Sequence, residues 1–252
     1  MSKIVFITGA TAGFGKAIAK KFAENGHDLI ITGRRKALLD ELAKELITKH
    51  QVDVLPLCFD VRKLREVENA VNSLPDRWKN IDVLVNNAGL AVGLNPVHEA
   101  VIDDWDRMID TNVKGLLYMT RLVSPLMVAR RQGHIINIGS VAGKEVYPMG
   151  NAYCGSKFAV DAITKGTRID LVSHNIKVTQ IAPGAANTEF SLVRFKGDKE
   201  RADNVYKGFT PLTAEDIADA VYYVTTLPGH VNVNDLVLMP ANQASAVNIH
   251  KK

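Results

Sequence analysis

The chain has 252 residues, of which 46% are hydrophobic and 23% charged, and its formal net charge is +4. Its length allows one large α/β domain or two small ones, with a substantial buried core. The longest basic cluster is Arg34–Lys36, which is too short for a nucleic-acid-binding tail, so no nucleic-acid partner is expected. Two cysteines, Cys58 and Cys154, are too few for a disulfide framework.

In chain order, the apolar and helical patterns predict thirteen elements. They are a strand at 4–7, a helix at 15–25, a strand at 28–32, a helix at 37–49, a strand at 52–59, a helix at 62–73, a strand at 81–86, a helix at 103–130, a strand at 133–138, a helix at 152–173, a strand at 177–181, a helix at 213–226 and a strand at 236–239. Near-continuous apolar strands between helices indicate a parallel sheet covered on both faces. Because there is no linker or repeat, we predict one α/β domain over 1–252.

Three further segments carry signals about location, substrate binding and helix capping. The run at 4–7 is too short for a signal peptide or a membrane span, and free thiols fit a reducing compartment, so we expect a cytoplasmic protein without a membrane partner. The stretch 185–208 lacks a pattern, which is typical of a functional loop, and we predict that it is a substrate loop. Thr213 and Asp216 form a capping signal for the helix that follows.

A glycine-rich turn over 8–15 joins the first strand to the first helix. Its spacing places Gly9, Gly13 and Gly15 in a Gly-x-x-x-Gly-x-Gly pattern. Glycines let the backbone approach a pyrophosphate, and the helix N-terminus offers unpaired N–H groups to the anion. Such a turn alone is weak evidence, but its place between a strand and a helix favours a dinucleotide site.

The second strand ends in Arg34 and Arg35. A site that prefers NAD usually has an acidic residue there, whereas an arginine matches the 2′-phosphate of NADP. We therefore predict NADP as cofactor, with Arg34 the favoured contact and Arg35 a second candidate; the alternative is a solvated basic pair. Asp60 and Val61, at the end of the third strand, could contact adenine, although an Asp there could also be a helix N-cap. Asn86–Gly89 could run beneath the cofactor or form only a turn.

Tyr153 and Lys157 are four residues apart on a predicted helix, so they share one face. A neighbouring ammonium is expected to lower the pKa of a phenol, which could then exchange a proton with a substrate oxygen near neutral pH. Taken alone, the pair could be an ordinary exposed pair. Ser140 could cap a turn and Asn112 could be a polar helix residue.

Together these residues resemble the short-chain dehydrogenase/reductase pattern over nearly the whole chain. The matching elements, in order, are Thr8, Gly9, Gly13, Gly15, Asn86–Gly89, Asn112, Ser140, Tyr153, Lys157, Pro183 and Gly184. Phe14 departs from the aliphatic residue that is usual in the family. Trp105, the 108–112 run, 189–198 and the tail 239–243 further resemble the NADP-dependent 3-hydroxy acid dehydrogenases, also described as serine or allo-threonine dehydrogenases.

The resemblance implies a doubly wound Rossmann sheet of seven strands, a homotetramer and a set of roles. Tyr153 would be the general acid/base, Lys157 would lower its pKa and hold the nicotinamide ribose, Ser140 would bind the substrate oxygen, and Asn112 would hold a relay water. Substrates would be small 3-hydroxy acids or β-hydroxy amino acids. The residues expected to contact cofactor are Gly9, Thr11, Gly13, Phe14, Gly15, Arg34, Arg35, Asp60, Val61, Asn87, Ala88, Gly89, Tyr153, Lys157, Pro183, Gly184 and Thr188. Ala185–Asn187 departs from the bulkier residues usual there.

A hydroxy acid carries a carboxylate, which requires a cation or a cluster of donors. Arg194 is the main candidate, and Lys144, Asn187 and Lys196 are weaker ones, although Arg194 could also be a solvated surface residue. The seven histidines lack a metal-like spacing, so no metal is expected. Three alternative functions are a reductase of small ketones or dicarbonyls, a non-catalytic NADP-binding regulator and a nucleic-acid binder.

Overall fold

A parallel β-sheet forms the centre of the molecule in the computed structural model, which describes residues 2–252. The strands are β1 (Ile4–Ile7), β2 (Asp28–Gly33), β3 (Val54–Cys58), β4 (Val83–Asn86), β5 (Gly133–Ile138), β6 (Ile176–Pro183) and β7 (Asp235–Leu238). They lie in the order β3-β2-β1-β4-β5-β6-β7. The order reverses between β1 and β4, which places a ligand crevice at the carboxyl ends of these strands. The predicted seven-stranded doubly wound sheet is confirmed.

Helices cover both faces of this sheet. They are α1 (Gly13–Glu24), α2 (Lys36–His50), α3 (Leu64–Asn72), α4 (Ile102–Ile109), α5 (Leu116–Arg130), α6 (Asn151–Leu171), α7 (Glu189–Arg194), α8 (Lys199–Asn204) and α9 (Ala214–Thr226). Side chains alternate along β1, so Val5 and Ile7 pack against α1, α2 and α9, whereas Phe6 packs in a second core with α3 and α5. Two cores of this size hold the strand ends, and therefore the crevice, in fixed positions.

The predicted helix 103–130 is helical throughout but is divided by a π-helical turn at Asp110–Gly115. This wider turn lies between α4 and α5 and contains Asn112. π-helical turns occur frequently at functional sites, and apolar periodicity does not reveal them. Most other predicted bounds differ from the observed ones by at most two residues.

The stretch 185–208 contains two short helices, α7 and α8, that the sequence pattern did not indicate. Thr188 caps α7 by accepting a hydrogen bond from the Phe190 N–H at 3.2 Å, and Asp198 caps α8 through the Arg201 N–H at 3.0 Å. Six-residue helices are too short to show an apolar period, so only their capping residues could have indicated them. The predicted capping box at the start of α9 is confirmed.

Candidate active site

A groove of about 660 Å³, open to solvent, crosses the carboxyl ends of the strands. Its walls include every residue that we predicted to contact cofactor except Gly15. The predicted residues on the walls are Gly9, Thr11, Gly13, Phe14, Arg34, Arg35, Asp60, Val61, Asn87, Ala88, Gly89, Tyr153, Lys157, Pro183, Gly184 and Thr188. Ser140 and Arg194 line the same groove. One continuous site therefore joins the phosphate loop to the predicted catalytic residues.

The glycine-rich turn has the geometry of a phosphate cradle. Gly9 and Gly13 adopt φ values of +69° and +50°, in the left-handed region that residues with a Cβ atom rarely adopt. A Cβ at Gly15 would lie 2.2 Å from the Gly9 carbonyl oxygen, so this position has no room for a side chain. Ala12 precedes α1, and its methyl group cannot accept hydrogen bonds from the first N–H groups of that helix. Those donors suit a pyrophosphate.

Thr8 and Asn87 connect this turn to the end of β4. The Thr8 hydroxyl accepts hydrogen bonds from the N–H groups of Asn87 at 3.0 Å and Ala88 at 2.9 Å. The Asn87 side-chain amide donates to the Thr8 carbonyl at 2.8 Å. These contacts fix the two segments that face each other across the switch point of the sheet.

The two arginines after β2 have different partners. Arg35 donates to the Thr11 hydroxyl at 3.1 Å and lies 3.3 Å from a Glu189 carboxylate oxygen. The Arg34 side chain is 57% exposed, and its guanidinium is 3.9 Å from the Asp60 carboxylate. Arg34 therefore gives up fewer contacts than Arg35 if it turns towards a phosphate.

Asp60 is held by Arg62 and does not cap a helix. Burial disfavours its charged form, but hydrogen bonds from Arg62 outweigh burial and keep the pKa of this carboxyl below its usual value. The Arg62 Nε atom donates to both carboxylate oxygens, at 3.1 and 2.9 Å. Lys63 is the N-cap residue of α3. The alternative interpretation of Asp60 as an N-cap is therefore wrong.

Ser140, Tyr153 and Lys157 meet where the groove passes β5 and α6. The Ser140 hydroxyl accepts from the Ala142 N–H at 3.1 Å and donates to the Pro183 carbonyl at 3.4 Å. Tyr153 is 9% exposed and Lys157 is 7% exposed. The Lys157 ammonium donates to the Ile138 carbonyl at 2.9 Å, so this helix face is directed towards the sheet.

Burial controls the ionisation of this pair. It raises the pKa of Tyr153, and the Tyr147 phenol adds to the rise, while Arg194 and a hydrogen bond with Ser140 oppose it. Burial also lowers the pKa of Lys157 to about 8. The Lys157 Nζ atom lies 6.0 Å from the centre of the Tyr153 ring. The pKa of Tyr153 is therefore raised in this structure and not lowered as expected, because the loss of hydration dominates. The effect of Lys157 on this pKa stays a prediction.

Asn112 fixes the backbone beside Lys157. Its side-chain oxygen accepts from the Leu90 N–H at 2.8 Å, and its amide donates to the Leu90 carbonyl at 2.8 Å and to Ser156 at 3.0 Å. A Cβ at Gly89 would lie 3.2 Å from the Asn112 oxygen and 3.7 Å from Lys157 Nζ. The side chain thus supports the wall of the groove, and the predicted relay water stays a prediction.

Arg194, on α7, lies over the ring of Tyr153. Its guanidinium carbon is 4.9 Å from the Tyr153 ring centre and 5.2 Å from that of Phe190. One terminal nitrogen donates to the Tyr147 hydroxyl at 2.5 Å. Its Nε atom is buried without a hydrogen-bond partner among residues 2–252. A buried donor of this kind beside the Tyr153 phenol is suited to an anionic group of a ligand. The sequence did not indicate Tyr147, and it included Phe190 only in the 189–198 segment that carries the resemblance.

The weaker carboxylate candidates lie elsewhere. Lys144 pairs with Asp161 on α6 and with Asp235 on β7. Lys196 lies 2.8 Å from a carboxylate oxygen of the buried Asp104. Asn187 is exposed, and its backbone N–H bonds to the Leu212 carbonyl. Arg194 is thus the one of these four candidates that lines the main groove.

Two further searches concern residues 2–252. In that range, no three His, Cys, Asp or Glu side chains are arranged to hold a metal ion. Within the same range, none of the helices combines the length and apolarity needed to cross a membrane.

Comparison with known proteins gives consistent matches. A family model described as short chain dehydrogenase matches residues 3–198. An NADP-dependent 3-hydroxy acid dehydrogenase of Salmonella typhi is 51% identical, over 98% of this chain and 99% of that protein. Sulfoacetaldehyde reductase 2 of Chromohalobacter salexigens is 46% identical, over 97% of this chain and 96% of the relative. The solved closed form of serine dehydrogenase complexed with NADP+ is 49% identical, with a TM-score of 0.92, over 99% of this chain and 100% of that one.

Proposed function

This chain belongs to the short-chain dehydrogenase family, and we propose that it is an NADP-dependent oxidoreductase acting on a small 3-hydroxy acid or β-hydroxy amino acid. The observation that carries the substrate class is the Arg194 guanidinium, 4.9 Å from the ring of Tyr153. A carboxylate bound there would bring the hydroxyl-bearing carbon of a short acid towards the phenol. Names of close relatives support the cofactor and the substrate class.

The residues present fit NADP. The N–H groups of the phosphate loop would hold the pyrophosphate, Arg34 the 2′-phosphate, and Lys157 the nicotinamide ribose. When bound, NADP supplies the hydride for reduction of a carbonyl and accepts it in oxidation of an alcohol. The glycine positions with no room for a Cβ support this assignment, because they bring the backbone close to the ligand.

The protein's own residues handle the proton. In oxidation, Tyr153 acts as the phenolate and takes the proton of the substrate hydroxyl. In reduction, the Tyr153 phenol gives its proton to the carbonyl oxygen and becomes the phenolate. Ser140 donates a hydrogen bond to that oxygen as negative charge develops on it. The Lys157 ammonium lies beside the Tyr153 ring, and a water held near Asn112 would pass the proton to solvent.

The Tyr153–Lys157 pair predicts opposite pH dependences for the two directions. Oxidation requires that the Tyr153–Lys157 pair has lost one proton. The pair loses its first proton near the pKa of Lys157, which is about 8. We expect kcat/KM for alcohol oxidation to rise with pH and level off above about 8, and kcat/KM for carbonyl reduction to fall over the same range. Initial rates across pH test this; a flat oxidation profile would contradict it.

Arg34 is expected to set the preference for NADP over NAD. Replacing Arg34 with alanine should raise KM for NADPH about tenfold, since a charge-assisted contact with the 2′-phosphate is lost, and should leave KM for NADH nearly unchanged. Arg35→Ala is the matched comparison and should have the smaller effect on KM, because Arg35 is already paired with Thr11 and Glu189. Equal use of NADH by the wild type would end the NADP assignment.

A substrate screen tests the proposed activity. NADP+ reduction should be measured with L-serine, L-allo-threonine, 3-hydroxypropionate and 3-hydroxyisobutyrate, and NADPH oxidation with malonic semialdehyde, sulfoacetaldehyde and neutral ketones or dicarbonyls. Activity on the carboxylates would support the proposal. Activity on sulfoacetaldehyde alone would favour a reductase of sulfonates. Arg194 could bind a sulfonate as it would a carboxylate, and one relative is named a sulfoacetaldehyde reductase. Activity only on neutral ketones would overturn it.

We also propose a homotetramer in the cytoplasm. Exposed apolar side chains on α5 and α6, including Leu117, Phe158 and Ile169, support association through these helices. The unbridged Cys58 and Cys154 are compatible with a reducing compartment. Light scattering of the purified protein tests the tetramer.

A further inference from the structure

The segment after β7 returns to the groove and forms part of its wall. Gln243 pairs with Ile249 in an antiparallel bridge, and the Ala244 N–H donates to the Asn248 carbonyl at 2.9 Å. These bonds close the tail into a compact loop. The Ala246 N–H donates to Glu145 at 2.9 Å, which ties the loop to the segment after Ser140. Gln243, Ala246 and Ile249 all line the groove.

Gln243 is the buried centre of this loop, with 7% of its surface exposed. Its side-chain oxygen accepts a hydrogen bond from the Ala185 N–H at 2.7 Å, and its side-chain amide donates to the Ser245 carbonyl at 3.0 Å. A Cβ at Gly184 would lie 2.4 Å from that oxygen, so the amide occupies the space that a side chain at Gly184 would need. One side chain thus joins the tail to the turn after β6.

That turn is part of the cofactor wall. Pro183, Gly184 and Ala185 line the groove, and the Gly184 N–H donates to the Leu238 carbonyl at 2.7 Å. The Ser140 hydroxyl also donates to the Pro183 carbonyl at 3.4 Å. A movement of this turn would therefore disturb both the cofactor surface and the serine beside the substrate oxygen.

We infer that Gln243 is a positioning residue for NADP: it holds the Pro183–Ala185 turn, and with it the nicotinamide end of the groove, in the binding conformation. This inference rests on the proposed function for the identity of the ligand. A primary amide is suited to the position because it accepts and donates at once. A carboxylate can accept from Ala185 but cannot donate to Ser245, whereas a protonated carboxyl group can do both.

The test uses this difference between the two forms of a glutamate. In Gln243→Glu, burial and the Ser245 carbonyl should raise the pKa of the new carboxyl group, so it should be protonated at about pH 5.5 and charged at about pH 8. The Kd for NADP+ is measured by titration calorimetry, and the measured quantity is the ratio of the Kd of Gln243→Glu to that of the wild type at the same pH. We expect this ratio to be about ten at about pH 8 and to fall towards one at about pH 5.5. Gln243→Leu should bind weakly at both.

Asn248→Asp is the matched control, because it makes the same chemical change on an exposed residue of the same loop. Its Kd should equal that of the wild type at both pH values. Wild-type affinity in both Gln243 variants would overturn the inference. A pH-independent loss in Gln243→Glu as large as that in Gln243→Leu would overturn it as well, since it indicates general loss of packing. Absence of NADP+ binding by the wild type would instead refute the proposed function.

Discussion

Replacing Tyr153 with phenylalanine is expected to lower kcat about 10²- to 10⁴-fold in both directions, which is the usual contribution of a positioned general acid or base. The ring packs edge-on against Phe190 with 5.6 Å between the ring centres, and this contact would persist in the variant. Only the hydroxyl that exchanges the proton is removed. Steady-state kinetics, with NADPH binding measured by fluorescence, should show a loss in kcat and an NADPH affinity within about twofold of wild type.

The matched control is Tyr223→Phe, which removes a phenolic hydroxyl from an exposed residue on α9. It should leave kcat unchanged. Near-wild-type turnover by Tyr153→Phe, with intact NADPH binding, would remove Tyr153 from the mechanism. A parallel loss of kcat and of thermal stability would indicate damage to the fold and would count against the chemical assignment.

Replacing Arg194 with methionine is expected to raise KM for 3-hydroxy acids about 10- to 100-fold, since a charge-assisted contact to the carboxylate is lost. Methionine keeps an unbranched apolar stem against Phe190 and Tyr147, which limits the change in packing. Turnover of an uncharged analogue, such as the methyl ester of the same acid, should change little. The ratio of kcat/KM values for acid and ester is therefore the decisive measurement.

Arg65→Met is a suitable control, because the Arg65 side chain is 94% exposed on α3 and the substitution removes the same charge. This substitution should leave kcat/KM unchanged for both the acid and the ester. Equal losses for acid and ester in Arg194→Met would show that Arg194 supports Tyr153 in general, and the carboxylate would then have to be held elsewhere.

Much of the site could be predicted because its signals are local. The phosphate cradle depends on backbone conformations at Gly9 and Gly13 that the residue type itself favours. The Tyr153 and Lys157 side chains share a face because the helical repeat requires it. The π-helical turn around Asn112 could not be predicted, since apolar periodicity does not reveal such turns.

The ionisation of the Tyr153–Lys157 pair could not be predicted from spacing. A cation four residues from a phenol suggests a lowered pKa, but burial raises the pKa of Tyr153. Two side chains outside its helix also act on this pKa: Tyr147 adds to the rise and Arg194 opposes it. The helix α7, which carries Arg194, and the helix α8 were likewise not indicated by their short sequences.

The sequence by itself determined the alternation of strands and helices, the phosphate loop and the order of the catalytic residues, because each depends on neighbours within a few positions along the chain. Only the tertiary structure decided that Arg194 faces Tyr153, that Lys144 and Lys196 are engaged elsewhere, and that Gln243 supports the turn after β6. These outcomes depend on burial and on contacts between segments far apart in the chain, and neither quantity is encoded in local spacing.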